Sequence, residues 1–181
     1  MSHQVAQLLF RFINQLSGGL MSHEDIDARE KFLFTLEWLL AVTKRHSGGL
    51  QFGLAHINYE TPKILGETYG AQQAAHKLDE VSHSLRKAFR KSDLVARDGA
   101  DFWILVPFTP TEEKLVDKIK YIVETASQSG LQIVERDISI FSLPNDAAHM
   151  EVDSTALEFL AYLKKNHITL ASQELSLPAR E

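Results

Sequence analysis

The chain has no cysteine. Disulfides, thiolate nucleophiles and thiolate metal sites are therefore excluded, and the composition agrees with a reducing compartment such as the cytoplasm. Long apolar runs are also missing. No stretch approaches the roughly 18 uninterrupted apolar residues of a membrane span, and the first residues lack the basic start and apolar core of a secretory leader. Basic excess is absent too, since the formal net charge is -5. That argues against a nucleic-acid binder working through a basic face, but a small nucleotide needs only a few local cations. What remains is ordinary globular material: 181 residues, 44% hydrophobic and 24% charged, enough for one domain with its own core.

Residues 4 to 17 carry Val5, Leu8, Leu9, Phe12, Ile13 and Leu16 at helical spacing and end at "SGGL". This segment is expected either to pack on the domain or to meet a partner, with a homodimer contact favoured. Residues 25 to 46 predict a second helix with Phe32, Leu36, Leu39 and Leu40 on its apolar face, stopped by another "SGGL". Glu24, Asp25 and Asp27 are read as acids favourably placed at a helix start. Trp38 and Trp103 fall at apolar-periodic positions and are expected in the core.

From residue 51 the pattern alternates. A strand at 51 to 59 precedes a long helix at 68 to 91, with Ala74, Leu78, Val81, Leu85 and Phe89 on one stripe. "DLVAR" and "DFWILVPF" form a hairpin over the turn Asp98-Gly99-Ala100-Asp101. Thr109, Pro110 and Glu112 start a helix with stripe Leu115, Ile119, Ile122 and Ala126, which Gly130 ends. Residues 131 to 143 predict a strand, 153 to 166 a helix capped by Asp153, and the tail after Ser172 is expected to be loose. The order β-α-β-β-α-β makes the fold class α/β (an α+β sandwich). Its core is ferredoxin-like, with two helices on one face of an antiparallel sheet and extra N-terminal and C-terminal helices. Domain bounds follow: 1–24 an amphipathic helix and linker, 25–170 the domain, 171–181 a tail. Such a fold brings Asn58 and Glu60 near Asp98 and Asp101.

The segments "NYETPKILGETYGAQ" and "LRKAFRKSDLVARDGADFWILVP" are similar to the signature regions of the GGDEF domain, the diguanylate cyclase family. The likeness runs from about residue 26 to 165. It implies in-line joining of two GTP molecules with divalent ions held by carboxylates. The departures imply loss of that activity. The metal-ligand Asp of the first strand is matched by Asn58, the guanine-reading Asn by Gly66, and the second guanine-reading acid by Ala75. The family's His after the Gly is matched by Ala71.

Counted from Arg90, the signature turn is Gly99-Ala100-Asp101-Phe102-Trp103; counted back from Pro107, it begins at Asp98. Either count loses one acid and breaks the Gly-Gly pair. Lys63 and Lys165 match phosphate-contacting lysines, while Thr169 replaces the Arg expected after Lys165. Arg90 and Asp93 match the family's R-x-x-D site for cyclic di-GMP, with Arg86 one turn earlier as a helper. A guanidinium and a carboxylate suit a guanine edge; the same pair also reads as a surface ion pair.

The expectation is a catalytically inactive signalling domain in the cytoplasm. It needs no cofactor and holds no metal, and its ligand is cyclic di-GMP. The alternatives are an interaction or dimerisation domain without nucleotide, and a weak cyclase or GTP binder. His76, Glu80 and His83 share a helical face, which is read as solvated rather than metal-binding.

Overall fold

Strict alternation divides every long strand between two cores. In β1 (Phe52–Tyr59), Ala55, Ile57 and Tyr59 enter one apolar cluster, and Phe52 and Leu54 enter the other. In β3 (Asp101–Pro107), Phe102, Ile104 and Val106 join the first, while Trp103 and Leu105 join the second. Side chains two apart share a face, so a strand apolar at both parities must be covered on both sides. The computed structural model, which describes residues 21–45, 51–59, 66–67, 70–107, 112–126, 136–143 and 154–177, supplies those covers.

On one side lie α2 (Ala71–Ala88), through Leu78, Val81 and Leu85, and α3 (Glu112–Ala126), through Leu115, Ile119 and Ile122. On the other lie α1 (His23–Arg45), through Phe32, Leu36 and Leu39, and α4 (Ala156–Lys165), through Phe159, Leu160 and Leu163. The expected α+β sheet sandwich is therefore present, but with three layers. The helices before β1 and after β4 (Arg136–Leu143) are the second cover.

β2 is Leu94–Asp98, and the sheet order is β2-β3-β1-β4-β5, with each neighbouring pair antiparallel. The short helix α5 (His167–Leu170) precedes β5 (Gln173–Leu177). In the tail expected to be loose after Ser172, residues 173–177 are thus a strand. Ser172 donates its backbone N–H to the Ile140 carbonyl at 2.8 Å, and Leu177 is buried at the end of the pairing.

Several boundaries move for local reasons. Ser22 caps α1, accepting from the Asp25 N–H at 3.2 Å. α2 starts at Ala71 rather than 68 because Gly70, at φ 82°, is non-helical, and it stops at Ala88, where Phe89 turns extended. α4 is capped by Thr155, whose reciprocal bonds with Glu158 form a capping box. The predicted helix at 4–17, the cap at Thr109 and the start of the fourth strand at 131–135 lie outside the described residues, as does Asp153. Trp103 is buried as expected, but Trp38 is not: it is 57% exposed on the outer side of α1.

Candidate functional site

The hairpin register sets the site. Asp98 pairs with Asp101, so the loop is the two residues Gly99 and Ala100. Gly99 has φ 63°, the left-handed conformation that a β-hairpin loop demands and glycine tolerates best. Ala100 is buried, and its carbonyl accepts from the Tyr59 N–H at 3.1 Å, pinning the tip to the end of β1. Phe102 is fully buried and meets Tyr59 edge-on, with ring centroids 5.7 Å apart. A loop at Gly99-Ala100 agrees with the count from Arg90, in which these two take the glycine positions, Asp101 the first acid and Phe102 the second.

Asp101 faces the α1/α4 side, two residues before Trp103. There it receives three neighbours. His56 Nε2 lies 2.8 Å from Asp101 Oδ1, and the imidazole stacks on Trp103 at 4.1 Å. Lys164, in the last turn of α4, donates from Nζ to Oδ2 at 2.6 Å. Asn58, directly opposite Asp101 across the β1–β3 ladder, donates its amide N–H₂ to Oδ1 at 3.0 Å in the orientation that satisfies both ends. Burial alone would push the Asp101 carboxyl up, but His56 and Lys164 more than offset it and hold it below the usual carboxylate range. Beside this cluster a cavity of about 190 Å³ opens between α1 and α4. Leu33, Trp103 and Leu157 form its apolar walls. At its rim Arg29 Nε reaches Asp98 Oδ1 at 3.4 Å.

Beneath the tip runs a second polar network that the sequence did not reveal. Asp25, read as a helix-dipole acid, is fully buried. Its carboxylate accepts from Ser82 Oγ at 2.6 Å and from Arg86 Nη1, and lies 3.4 Å from Arg97 Nη1. Arg97 also pairs with Asp79, and its Nε donates to the Gly99 carbonyl at 2.8 Å. One buried guanidinium thus ties the start of α1, the middle of α2 and the hairpin loop together. The sequence signal was there in part: Ser82 and Arg86 are four apart on α2, one turn, beside an apolar stripe.

The R-x-x-D residues sit elsewhere, at the α2–β2 joint. They occupy a turn rather than the helix. Arg90 N–H donates to Asp93 Oδ2 at 3.0 Å, and Asp93 N–H donates back to the Arg90 carbonyl at 2.9 Å. Arg90 is exposed, and no described residue pairs with its guanidinium. The Arg86 guanidinium is turned to other partners. It is bound to Asp25 and Ser82, with Glu24 3.5 Å away.

Lys165 is exposed, and it is Lys164 that reaches the tip. Ala75 is buried in α2, and Gly66 has open space where a side chain would stand. Ala71 opens α2, exposed. Lys63 and Glu60 lie outside the described residues. His76 and Glu80 approach to 3.4 Å on an exposed face of α2. No group of three or more His, Asp or Glu among the described residues is arranged to hold a metal. No helix among them is long and apolar enough to cross a membrane.

Residues 25–167 match the family model described as diguanylate cyclase, GGDEF domain. No curated protein sequence matches the chain. Among solved structures, the chain is similar to the GGDEF domain of DgcB from Caulobacter crescentus in complex with c-di-GMP. Identity is 16% and the TM-score 0.56, over 77% of this chain and 82% of that one. It is also similar to the GGDEF domain of YfiN from Pseudomonas aeruginosa, at 20% identity and TM-score 0.51 over 77% and 86%. A third likeness is to the diguanylate cyclase SiaD, solved with its activator SiaC, also from Pseudomonas aeruginosa. There the identity is 15% and the TM-score 0.52, over 91% of this chain and 64% of that one.

Proposed function

Because the chain belongs to the diguanylate cyclase GGDEF domain family, we propose that it is a cytoplasmic regulatory member that does not join GTP molecules and binds cyclic di-GMP through Arg90 and Asp93. The observation that carries the loss of catalysis is the state of Asp101. Both of its oxygens already accept hydrogen bonds, one from Lys164 and one from His56.

A hard divalent cation needs several oxygen donors with free lone pairs and negative charge. Here Asn58 contributes no charge, and the Lys164 ammonium occupies the carboxylate a cation would require. The second acid of the tip is replaced by Phe102, which is enclosed in the core. The residues at the tip therefore do not fit the metal ions of the family's reaction, and no step is derived through them. What supports the ligand half of the reading is Arg90, an exposed guanidinium on a turn that the Asp93 carboxylate closes through the Arg90 backbone N–H. The DgcB structure, whose domain this one resembles, contains cyclic di-GMP.

Incubation with GTP and Mg²⁺ or Mn²⁺ is expected to yield no cyclic di-GMP by chromatography, and multiple turnovers would refute the inactive assignment. Calorimetric titration with cyclic di-GMP should show binding. Arg90→Ala removes charge-assisted bonds worth about 1.5–3 kcal/mol, a loss of about tenfold to a hundredfold in affinity. The melting temperature should stay close to that of the unmodified protein, because the side chain is exposed. Arg90 is a cleaner probe than Asp93, whose carboxylate also closes the turn. No binding by the unmodified protein at millimolar ligand would leave an interaction domain as the surviving reading.

A further inference from the structure

α1 has two apolar faces, and the sheet uses one. Phe32, Leu36 and Leu39 are buried against it, whereas Phe34 is 76% and Trp38 57% exposed on the far side. Two large aromatic side chains one turn apart, both turned to solvent, mark a contact surface that no described residue covers. They belong to a longer row. Asp27, Lys31, Phe34, Trp38, Ala41 and Arg45 alternate spacings of four and three along α1, and all are exposed. That is the seam spacing of a two-helix coiled-coil contact.

The charges along the row choose its occupant. The seam carries Asp27 and then Lys31 at one end, is apolar at Phe34, Trp38 and Ala41, and ends on the basic Arg45. A second copy laid antiparallel about a two-fold axis through residue 36 sets Phe34 against Trp38 and Asp27 against Arg45, twice over. On the flank it brings Glu30 within a turn of Lys44, with Glu37 near its own copy at the axis. A parallel pairing would stack each charge on its own kind, Asp27 on Asp27 and Arg45 on Arg45. A two-fold contact must be self-complementary, and this row is so only in the antiparallel sense.

We infer that the outer face of α1 is a self-association surface on which a second copy of this chain packs antiparallel through the Phe34–Trp38 seam. Arg29 meets Asp98 near the start of α1, so the hairpin tip of each copy lies at that end. Asp27 and Arg45 are separated by about 27 Å along the helix. The dimer therefore holds its two tips at opposite ends of the helix pair rather than face to face.

Sedimentation equilibrium of the full chain from micromolar to sub-millimolar concentration should show a reversible monomer–dimer equilibrium that weakens with salt. Asp27→Arg alone and Arg45→Asp alone place like charges opposite each other and should each weaken dimerisation by about tenfold or more. The double exchange D27R/R45D restores both pairs and should return the association to that of the unmodified chain. Circular dichroism should confirm that each variant is folded.

The absence of native cysteine provides an independent readout of direction. Lys31→Cys mixed with Ala41→Cys should form a disulfide-linked pair, while either variant alone should not. Cross-linking of either variant to itself would indicate a parallel contact and overturn the proposal. A monomer throughout the concentration range would also overturn it, assigning this face to the chain's own first 20 residues or to a different partner. Failure of the double exchange to rescue would exclude the charge-matched geometry.

Discussion

Asp25→Ala should lower the free energy of unfolding by about 3–5 kcal/mol, the range for breaking a buried ion pair by removing one partner. Against a total of about 5–15 kcal/mol for a domain, that is a third or more of the stability. The carboxylate is fully buried among Ser82, Arg86 and Arg97, and alanine would leave two guanidinium groups enclosed with less negative charge between them. The double variant D25A/R97A should lose clearly less than the sum of the two single losses, because each single change leaves a stranded charge that the second removes. Denaturant melts of the four proteins decide this, and simple additivity would mean that Asp25 and Arg97 do not act as a pair.

The pH dependence has a definite sign. Burial would raise the Asp25 carboxyl, but bonds from Ser82 and Arg86 bring it below its ordinary value. A carboxyl depressed in the folded state contributes stability that is present above its unfolded pKa of about 3.9 and is lost as pH falls through the folded value. Asp101, also depressed, adds to this acid limb. Asp79 runs the other way: burial raises it, against the Arg97 guanidinium and with Asp25 nearby, so its contribution falls as pH rises through its shifted range. Asp25→Ala should therefore flatten the acid limb of a stability profile while leaving the Asp101 part in place. An unchanged acid limb would contradict the assignment.

On the proposed inactive reading, Phe102→Glu should yield no cyclase activity, and it should unfold the domain or lower its stability by at least about 4 kcal/mol. The substitution writes an acid back into the signature turn, yet the site is fully enclosed, with Tyr59 against the ring and Ile57 and Ile104 in the same cluster. The residue opposite it across the hairpin is Arg97, whose guanidinium already serves Asp25, Asp79 and the Gly99 carbonyl, so the cost of desolvating a new carboxylate adds to the lost aromatic burial. Phe102→Leu keeps the site apolar and should cost about half as much or less. A Phe102→Glu protein that melts like the unmodified chain, or that turns over GTP, would show that the tip can be rebuilt around an acid. Thermal melts and product chromatography give the two answers.

Much of the architecture was legible because local chemistry wrote it. The alternation in "FGLAHINY" and "DFWILVP" predicts β1 and β3, and the stripe Leu78, Val81, Leu85 predicts α2. The element order and the likeness to the GGDEF signature followed from the same residues, and so did the convergence of Asn58 and Asp101. Four things were not legible, each for the same kind of reason.

Glu24, Asp25 and Asp27 look alike at a helix start. Only Asp25 turns inward, because its partners Ser82, Arg86 and Arg97 lie 57, 61 and 72 residues away. The apolar residues in the middle of α1 lie on more than one side, so its own period could not say whether Trp38 or Leu39 meets the sheet; docking beneath β2 and beside α4 decided. "QELSL" alternates weakly and reads as a tail until β4 offers it an edge to pair with. Lys164 rather than Lys165 reaches Asp101, because a helix turns about 100° per residue and one of two adjacent lysines must point away. Sequence by itself determined the β-α-β-β-α-β core elements and their order, since propensity and periodicity are local. Tertiary structure alone decided which charges are buried, which aromatic face is left open and which lysine closes the site, since those outcomes depend on residues far apart in the chain.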